Sequence, residues 1–363
     1  MNKKLIALAI VGACVAPAAM AQTAGPVVLY GRIYETVVSV EGKAGGGNPE
    51  IPRRTRVDDQ ASLLGVRGTE DLGGGLKAFF QLETAFQSEQ NNAAGSTTPN
   101  AFATRNSGVG LEGGWGSFVV GRWDTPYKVS TYPVDAFGDL TMAGISGLGH
   151  DQGNFDRRDQ NMLQYWSPDF AGFQFKVMAQ ANETKTCDST GNNCNNPHDT
   201  SANLTYTRGP LYAFLAYEDH KDPSAAVSKE DGWSLGGKYS FGPIQVGLEY
   251  EKISRDAAVG NNPSDRKEAL ANLIWTFGNN QLIYQYQESQ DGEPAGANGS
   301  DYDCHSNTLG YKYIFSKRTF FIAEYMQTKN KDKATCSFAT TATFPVKGGN
   351  DVDAFAVGLQ HVF

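Results

Sequence analysis

The chain has 363 residues, 40% hydrophobic and 19% charged, with 31 basic against 39 acidic side chains. A helical membrane protein would carry long apolar runs, a disordered tail fewer aromatics, and a nucleic-acid binder an excess of base. The 41 glycines and the 11% of aromatic residues favour a turn-rich all-β chain instead. At the start, Lys3 and Lys4 precede an apolar stretch from Leu5 to Val15, and Ala19-Met20-Ala21 offers small residues where a signal peptidase reads. Residues 1–21 are therefore expected to be a cleaved export signal, with the mature chain starting at Gln22. Val11-Gly12-Ala13-Cys14 is the competing site and would leave a lipidated Cys14, but Ala-Met-Ala lies at the more usual distance from the charged end.

Beyond the signal, Leu29 to Val38, Phe173 to Gln180, Trp233 to Phe241, Ile244 to Lys252, Leu282 to Gln287, Leu309 to Phe315 and Phe355 to Phe363 read as strands. Ile244, Val246, Leu248 and Tyr250 alternate with Gln245, Gly247, Glu249 and Glu251, so each strand offers oil to one side and water to the other. A soluble sandwich would alternate in the same way, so the connections decide. Tight links at Asp71–Gly75, Gly113–Gly116, Asp169–Gly172, Gly209-Pro210, Gly242-Pro243, Gly278-Asn279 and Ser316-Lys317 alternate with longer polar segments. The latter lie near 41–58, 89–101, 124–158, 184–199, 221–230, 255–266, 291–303 and 329–350. Seven tight and eight long links separate sixteen antiparallel strands, with short turns at one end and long loops at the other, the profile of a transmembrane β-barrel. Inside a bilayer an unpaired backbone amide costs several kcal/mol, so a sheet with an apolar outer face must close, and the last strand is expected to pair with the first.

An exported chain can form disulfides. Setting Cys14 aside leaves Cys187, Cys194, Cys304 and Cys336, which allow three connectivities, with Cys187–Cys194 and Cys304–Cys336 favoured because the first pair closes a short polar loop. No metal-ligand spacing is present, so no metal site or cofactor is expected.

The terminal Val357-Gly358-Leu359-Gln360-His361-Val362-Phe363 resembles the general porins of Gram-negative outer membranes, in the branch typical of beta-proteobacteria. The likeness runs through Leu29-Tyr30-Gly31, Gly68 to Glu83 with its Glu-Asp-Leu-Gly-Gly-Gly-Leu-Lys block, Val120 to Tyr127, Tyr165 to Phe173 and Phe315 to Thr319. It implies an outer-membrane homotrimer of 16-stranded barrels. Each would be a water-filled channel for small hydrophilic solutes and ions, narrowed by an inward third loop; that loop is here the 35 residues from Asp124 to Arg158. It also implies that loop acids, of Asp124, Asp135, Asp139, Asp151 and Asp156, face a row of basic side chains, the constriction acids being Asp124, Asp135 and Asp139. Alternation turns Arg32 and Arg67 inward, away from Leu29, Ile33, Leu64 and Val66, and Arg105 and Arg122 match arginines that such porins use at the constriction; the alternative is a place at the rim, paired with a headgroup or a loop acid, and for Arg67, near the periplasmic end, the two readings are evenly balanced. An arginine facing lipid would cost roughly 2–4 kcal/mol at midplane.

Two departures complicate charge preference. Ser62 is followed by Leu63 where the family commonly has another arginine, which weakens any anion preference and leaves its sign open. Glu35 takes the outward parity of Leu29 and Ile33 and is expected to be shielded at a subunit contact. Gly108-Val109-Gly110-Leu111-Glu112-Gly113 fits a dinucleotide fingerprint, but no helix signal follows it, so its glycines are read as barrel glycines. His150, His198, His220, His305 and His361 lack paired-ligand spacing and are expected in loops or at rims; Asp301-Tyr302-Asp303 reads as a solvated pair of acids. No enzyme is expected and no nucleic-acid partner. A diffusion channel, a channel with one preferred solute and an exported β-rich enzyme or adhesin are the readings to be separated.

Overall fold

The computed structural model describes residues 27–85, 102–138, 141–145, 148, 155, 157–181, 183, 186–187, 194–224, 227–257, 264–290, 300–338 and 344–363. The proposed signal segment, Asp139, His150, Asp151 and Asp156 lie outside the described residues.

The first strand, β1 (Val28–Lys43), pairs antiparallel with two segments in turn. Ile51–Asp59 runs along its far half and Leu63–Gly73 along its near half; together they form one wall strand, β2, broken at Gln60-Ala61-Ser62. The wall continues through β3 (Leu76–Ala85), β4 (Ser107–Gly113), β5 (Gly116–Asp124), β6 (Arg158–Trp166), β7 (Phe173–Gln180) and β8 (His198–Arg208). It proceeds with β9 (Leu211–Ser224), β10 (Val227–Phe241), β11 (Ile244–Ala257) and β12 (Ser264–Phe277). The last four are β13 (Asn280–Gln290), β14 (Cys304–Ile314), β15 (Thr319–Asn330) and β16 (Asp351–Val362). Every neighbouring pair is antiparallel, and β16 returns to β1 in register from Arg32 opposite Val362 to Lys43 opposite Asp351, which closes a 16-stranded barrel. Closure leaves no edge with unpaired amides.

The faces divide as the alternation predicts. Leu248 is 58% and Leu309 60% exposed, whereas their neighbours Glu249 and Thr308 are 6% and 2% exposed. In a water-soluble sandwich the apolar parity would be the hidden one; here it is the outer surface. Phe118 packs on Tyr165 and Trp115, and Phe173 on Tyr206, near the short-turn end, where aromatic rings suit a headgroup interface.

Strand ends differ from the sequence reading. Residues 41–58 read as one long loop, yet β1 runs to Lys43 and β2 begins at Ile51; likewise β9 and β10 leave only a short link where 221–230 read as a loop. Arg53, Arg54, Lys229 and Glu230 make both faces polar there, so the strands continue while the alternation that reveals them fades.

The apolar core lies inside one side of the barrel. Tyr34, Val38, Ile283, Ile322, Met326 and Ala354, all on the wall, pack with Phe137 and Met142 from the link after β5 and with Phe338 and Phe344 from the link after β15. The second link is tied down by Cys304–Cys336, Cα atoms 6.3 Å apart, one of the two pairings expected. Cys187 and Cys194 face each other in a short antiparallel pairing, but their side chains are outside the described residues.

Candidate functional site

After β5 the chain enters a six-residue helix, α1 (Pro126–Thr131). Thr125 Oγ1 accepts from Lys128 N at 3.2 Å and Pro126 sits at the first helical position, where a missing amide costs nothing. The irregular segment around α1 has backbone groups that need partners, and the barrel's inward parity supplies them. Asn203 on β8 donates to Pro126 O at 2.6 Å, Tyr212 on β9 to Ser130 O at 2.7 Å, and Asn272 on β12 to Val134 O at 2.6 Å. Gln285 on β13 accepts from Ala136 N and donates to Ala143 O, while Gln60, at the break in β2, accepts from Met142 N at 2.8 Å. Tyr127 donates to Glu251 Oε2 at 2.6 Å and its ring packs on Phe155; burial and the neighbouring acids push its phenol well above its ordinary range, so it remains a donor.

Acids crowd the wall under this segment. Glu218, Glu230, Glu249, Glu251 and Glu268 are all buried on inward positions of β9 to β12. Arg255 pairs with Glu230, Arg266 with Glu268 at 2.6 Å, and Ser234 donates to Glu249 at 2.8 Å. His220 corrects an expectation: rather than lying in a loop or at a rim, it is fully buried between Glu218 at 2.7 Å and Glu230 at 3.3 Å. Glu218 and His220 share one face at two-residue spacing, a signal that strand reading could have used.

The opposite wall carries the predicted basic residues. Arg32 donates to Ala61 O at 2.7 Å from the break in β2, a turn that sets Ala61 at φ 60°. Arg67 is exposed, its guanidinium 5.0 Å from the centre of the Tyr30 ring. Tyr30 donates to Glu83 at 3.1 Å, and Glu83 also takes Arg105 at 2.7 Å. Arg67, Tyr30, Glu83 and Arg105 thus form one group, and Glu83, absent from the sequence reading, is its acid. Leu63 pairs with Arg32 across the strands and shares its face, so the missing family arginine is missing from this wall. Arg122 shares its parity with exposed Phe118 and Val120, but Gly121 at φ +144° and a register shift between Gly121 and Trp123 interrupt the alternation. Its Nε is buried without a hydrogen-bond partner among the described residues.

The predicted acids behave differently from one another. Asp124 is buried at the root of the segment, held by Arg158 at 2.8 Å, Asn106 at 2.7 Å and Lys128 at 3.8 Å. Asp135 accepts from Phe137 N and Gly138 N through one oxygen and Ile145 N through the other, so it shapes the segment's own turn. Neither meets Arg32, Arg67 or Arg105 in an ion pair among the described residues. Arg158 is the cation that sequence reading treated only as the end of the loop.

Glu35 is half-buried on the outward parity, opposite Asp59 on β2 and Leu359 on β16. Gly108 to Gly113 lie within β4 and open no helix. Asp301 and Asp303 pair with Lys333 and Lys331, and no cluster of three or more metal-ligating side chains occurs among the described residues.

Residues 6–333 match the family described as Gram-negative porin. Outer membrane porin protein 32 of Delftia acidovorans is 31% identical over all of both chains, and major outer membrane protein P.IB of Neisseria gonorrhoeae is 29% identical over 88% of this chain and 91% of its own. The structure titled anion-selective porin from Comamonas acidovorans superposes with a TM-score of 0.77 at 27% identity, covering 93% of this chain and all of that one. Closed barrel, lipid-facing parity and these relatives agree: the chain belongs to the Gram-negative porin family and forms an outer-membrane channel, not an enzyme.

Proposed function

We propose that the protein is a passive diffusion channel for small hydrophilic solutes and ions, with a preference for anions. One observation carries the preference: Arg67 is exposed and Arg32 and Arg122 are half-buried on the β1–β5 wall, whereas the acids of the β9–β12 wall are buried beside residues 126–138 and 141–145. Charge that water reaches acts on a passing ion; charge already paired in the wall does not. The segment after β5 narrows the passage on the acidic side, so solutes are steered along the basic one. Asp124 and Asp135 then serve the loop's own placement rather than a free acidic row. At physiological salt the screening length is ~8 Å, so the selectivity is exercised within the narrow part. The relative titled anion-selective supports this sign.

The working unit is a homotrimer whose contact covers the outward faces of β1 and β16, which shields Glu35. Export proceeds through cleavage after Ala21. A planar bilayer under a potassium chloride gradient tests the reading: stepwise conductance with a reversal potential of anionic sign is the expected result, and a cationic sign overturns the preference.

A further inference from the structure

The inward parity of β3, β5 and β6 carries large rings where a water-filled wall would ordinarily be polar. Phe79 and Trp166 stack with ring centres 6.1 Å apart and planes 27° from parallel, and Trp123 leans on Trp166 at 5.3 Å. Phe80 and Leu163, on the opposite parity of β3 and β6, are exposed, which puts Phe79 and Trp166 on the inner side, and the contact with Trp166 brings Trp123 to the same side. Gly110 makes the row possible. A Cβ there would collide with the Phe79 ring and the Phe118 carbonyl, so only glycine lets Phe79 lie across β4. Trp166 is held in orientation by its Nε1 donating to Gln164 Oε1 at 2.7 Å, and all three rings remain half-buried.

Cations frame the row. Lys176 on β7 places Nζ 5.3 Å from the centre of the Trp166 ring, and Arg67 lies over Tyr30 beside it. Among the described residues neither forms an ion pair. Acids on this wall are engaged elsewhere, Glu112 with Lys77, Glu83 with Arg105, and Asp124, whose charge reaches Lys176, with Arg158. A cavity of about 420 Å³ opens here, lined by Arg67, Phe79, Gln81, Glu112, Trp123 and Trp166, within the range of small-ligand sites.

We infer that this shelf binds small aromatic carboxylates in transit, the ring against Phe79 and Trp166 and the carboxylate at Arg67. The inference rests on the diffusion-channel reading and deepens it. Stacking rewards a planar π face, and an arginine presents a fork that matches a carboxylate. A saturated ring of the same charge gains only the second interaction and the general burial of apolar surface.

The test is single-channel recording with benzoate, cyclohexanecarboxylate and acetate as sodium salts. Benzoate is expected to interrupt the current saturably, with an apparent affinity about tenfold above acetate and about threefold above cyclohexanecarboxylate. Trp166→Ala and Phe79→Leu should each remove the preference for benzoate while conductance steps and reversal sign persist, and Trp166→Phe should retain much of it. Equal affinity for benzoate and cyclohexanecarboxylate in the wild type overturns the inference, as does a preference unchanged in both Trp166→Ala and Phe79→Leu. Quenching of tryptophan fluorescence by benzoate in the detergent-solubilised protein reads the shelf without any current. Saturable quenching that is lost in Trp166→Phe supports the site even where the diffusion reading has failed; quenching equal to that by acetate counts against it.

Discussion

The two walls of the barrel are built from the same alternating strands and carry charge in opposite ways. Between β1 and β7, Arg67 is exposed and Arg67 and Lys176 each lie against an aromatic ring, while half-buried Arg32 is held by Ala61 O. Between β9 and β13, Glu218, Glu230, Glu251 and Glu268 are buried, each spent on an arginine, a histidine or the tyrosine of the inserted segment. Burying a charge is costly unless it is paired and hydrogen-bonded, so the acidic wall fastens the inserted segment, and the proposed anion preference assigns the action on solute to the basic wall. A formal count of charges on this chain, which is acidic overall, points to the opposite sign from the preference proposed for the passage.

The fastening is where a single substitution should do most damage. Tyr127 is fully buried, packs on Phe155 and binds Glu251, so Tyr127→Ala should loosen residues 126–138 by on the order of 3–5 kcal/mol, as for other buried aromatics. Larger and noisier single-channel conductance is the expected readout, with the barrel still folded on a gel run without heating. Cys336→Ser tests the neighbouring anchor. Losing a bridge that spans 32 residues should cost roughly 2–4 kcal/mol and make the link between β15 and β16 more sensitive to added protease.

On the outer face, the proposed trimer contact is tested by Glu35→Arg, which should lower the temperature at which the trimer dissociates, because a longer side chain of opposite charge replaces the half-buried carboxylate opposite Asp59 and Leu359. A trimer of unchanged heat stability would place Glu35 away from the interface. The smallest effect is expected at the rim. Arg53 pairs with Glu41 at 2.7 Å but is 56% exposed, so Arg53→Gln should change stability by less than about 1 kcal/mol and leave conductance unaltered.

Most of the barrel was legible because one physical demand, oil outside and water inside, writes itself into every second residue. Leu248 and Glu249, or Leu309 and Thr308, declare their faces without any knowledge of neighbours. What stayed hidden depends on contacts across long distances in the chain. Asp124 looked like a free loop acid, yet Asn106 and Arg158 reach it from two other parts of the wall. Asp135 looked alike in sequence and instead organises Phe137, Gly138 and Ile145. The break in β2 was invisible, since Gln60-Ala61-Ser62 carries no turn glycine or proline; its meaning lies in Gln60 reaching Met142 and Ala61 receiving Arg32. The aromatic shelf was readable in part, as Phe79, Trp123 and Trp166 stand on the parity that a water-facing wall should fill with polar groups.

The comparison between walls is tested most directly by neutralising one charge on each and measuring the reversal potential under the same salt gradient. Arg67→Gln should move the potential towards zero, the permeability ratio falling about two- to fivefold, as expected for the loss of a charge interacting by ~1 kcal/mol across water. Glu251→Gln keeps the hydrogen bond to Tyr127 and should leave the potential where it was. A larger shift from Glu251→Gln than from Arg67→Gln would contradict the division between a wall that acts on ions and a wall that holds the loop.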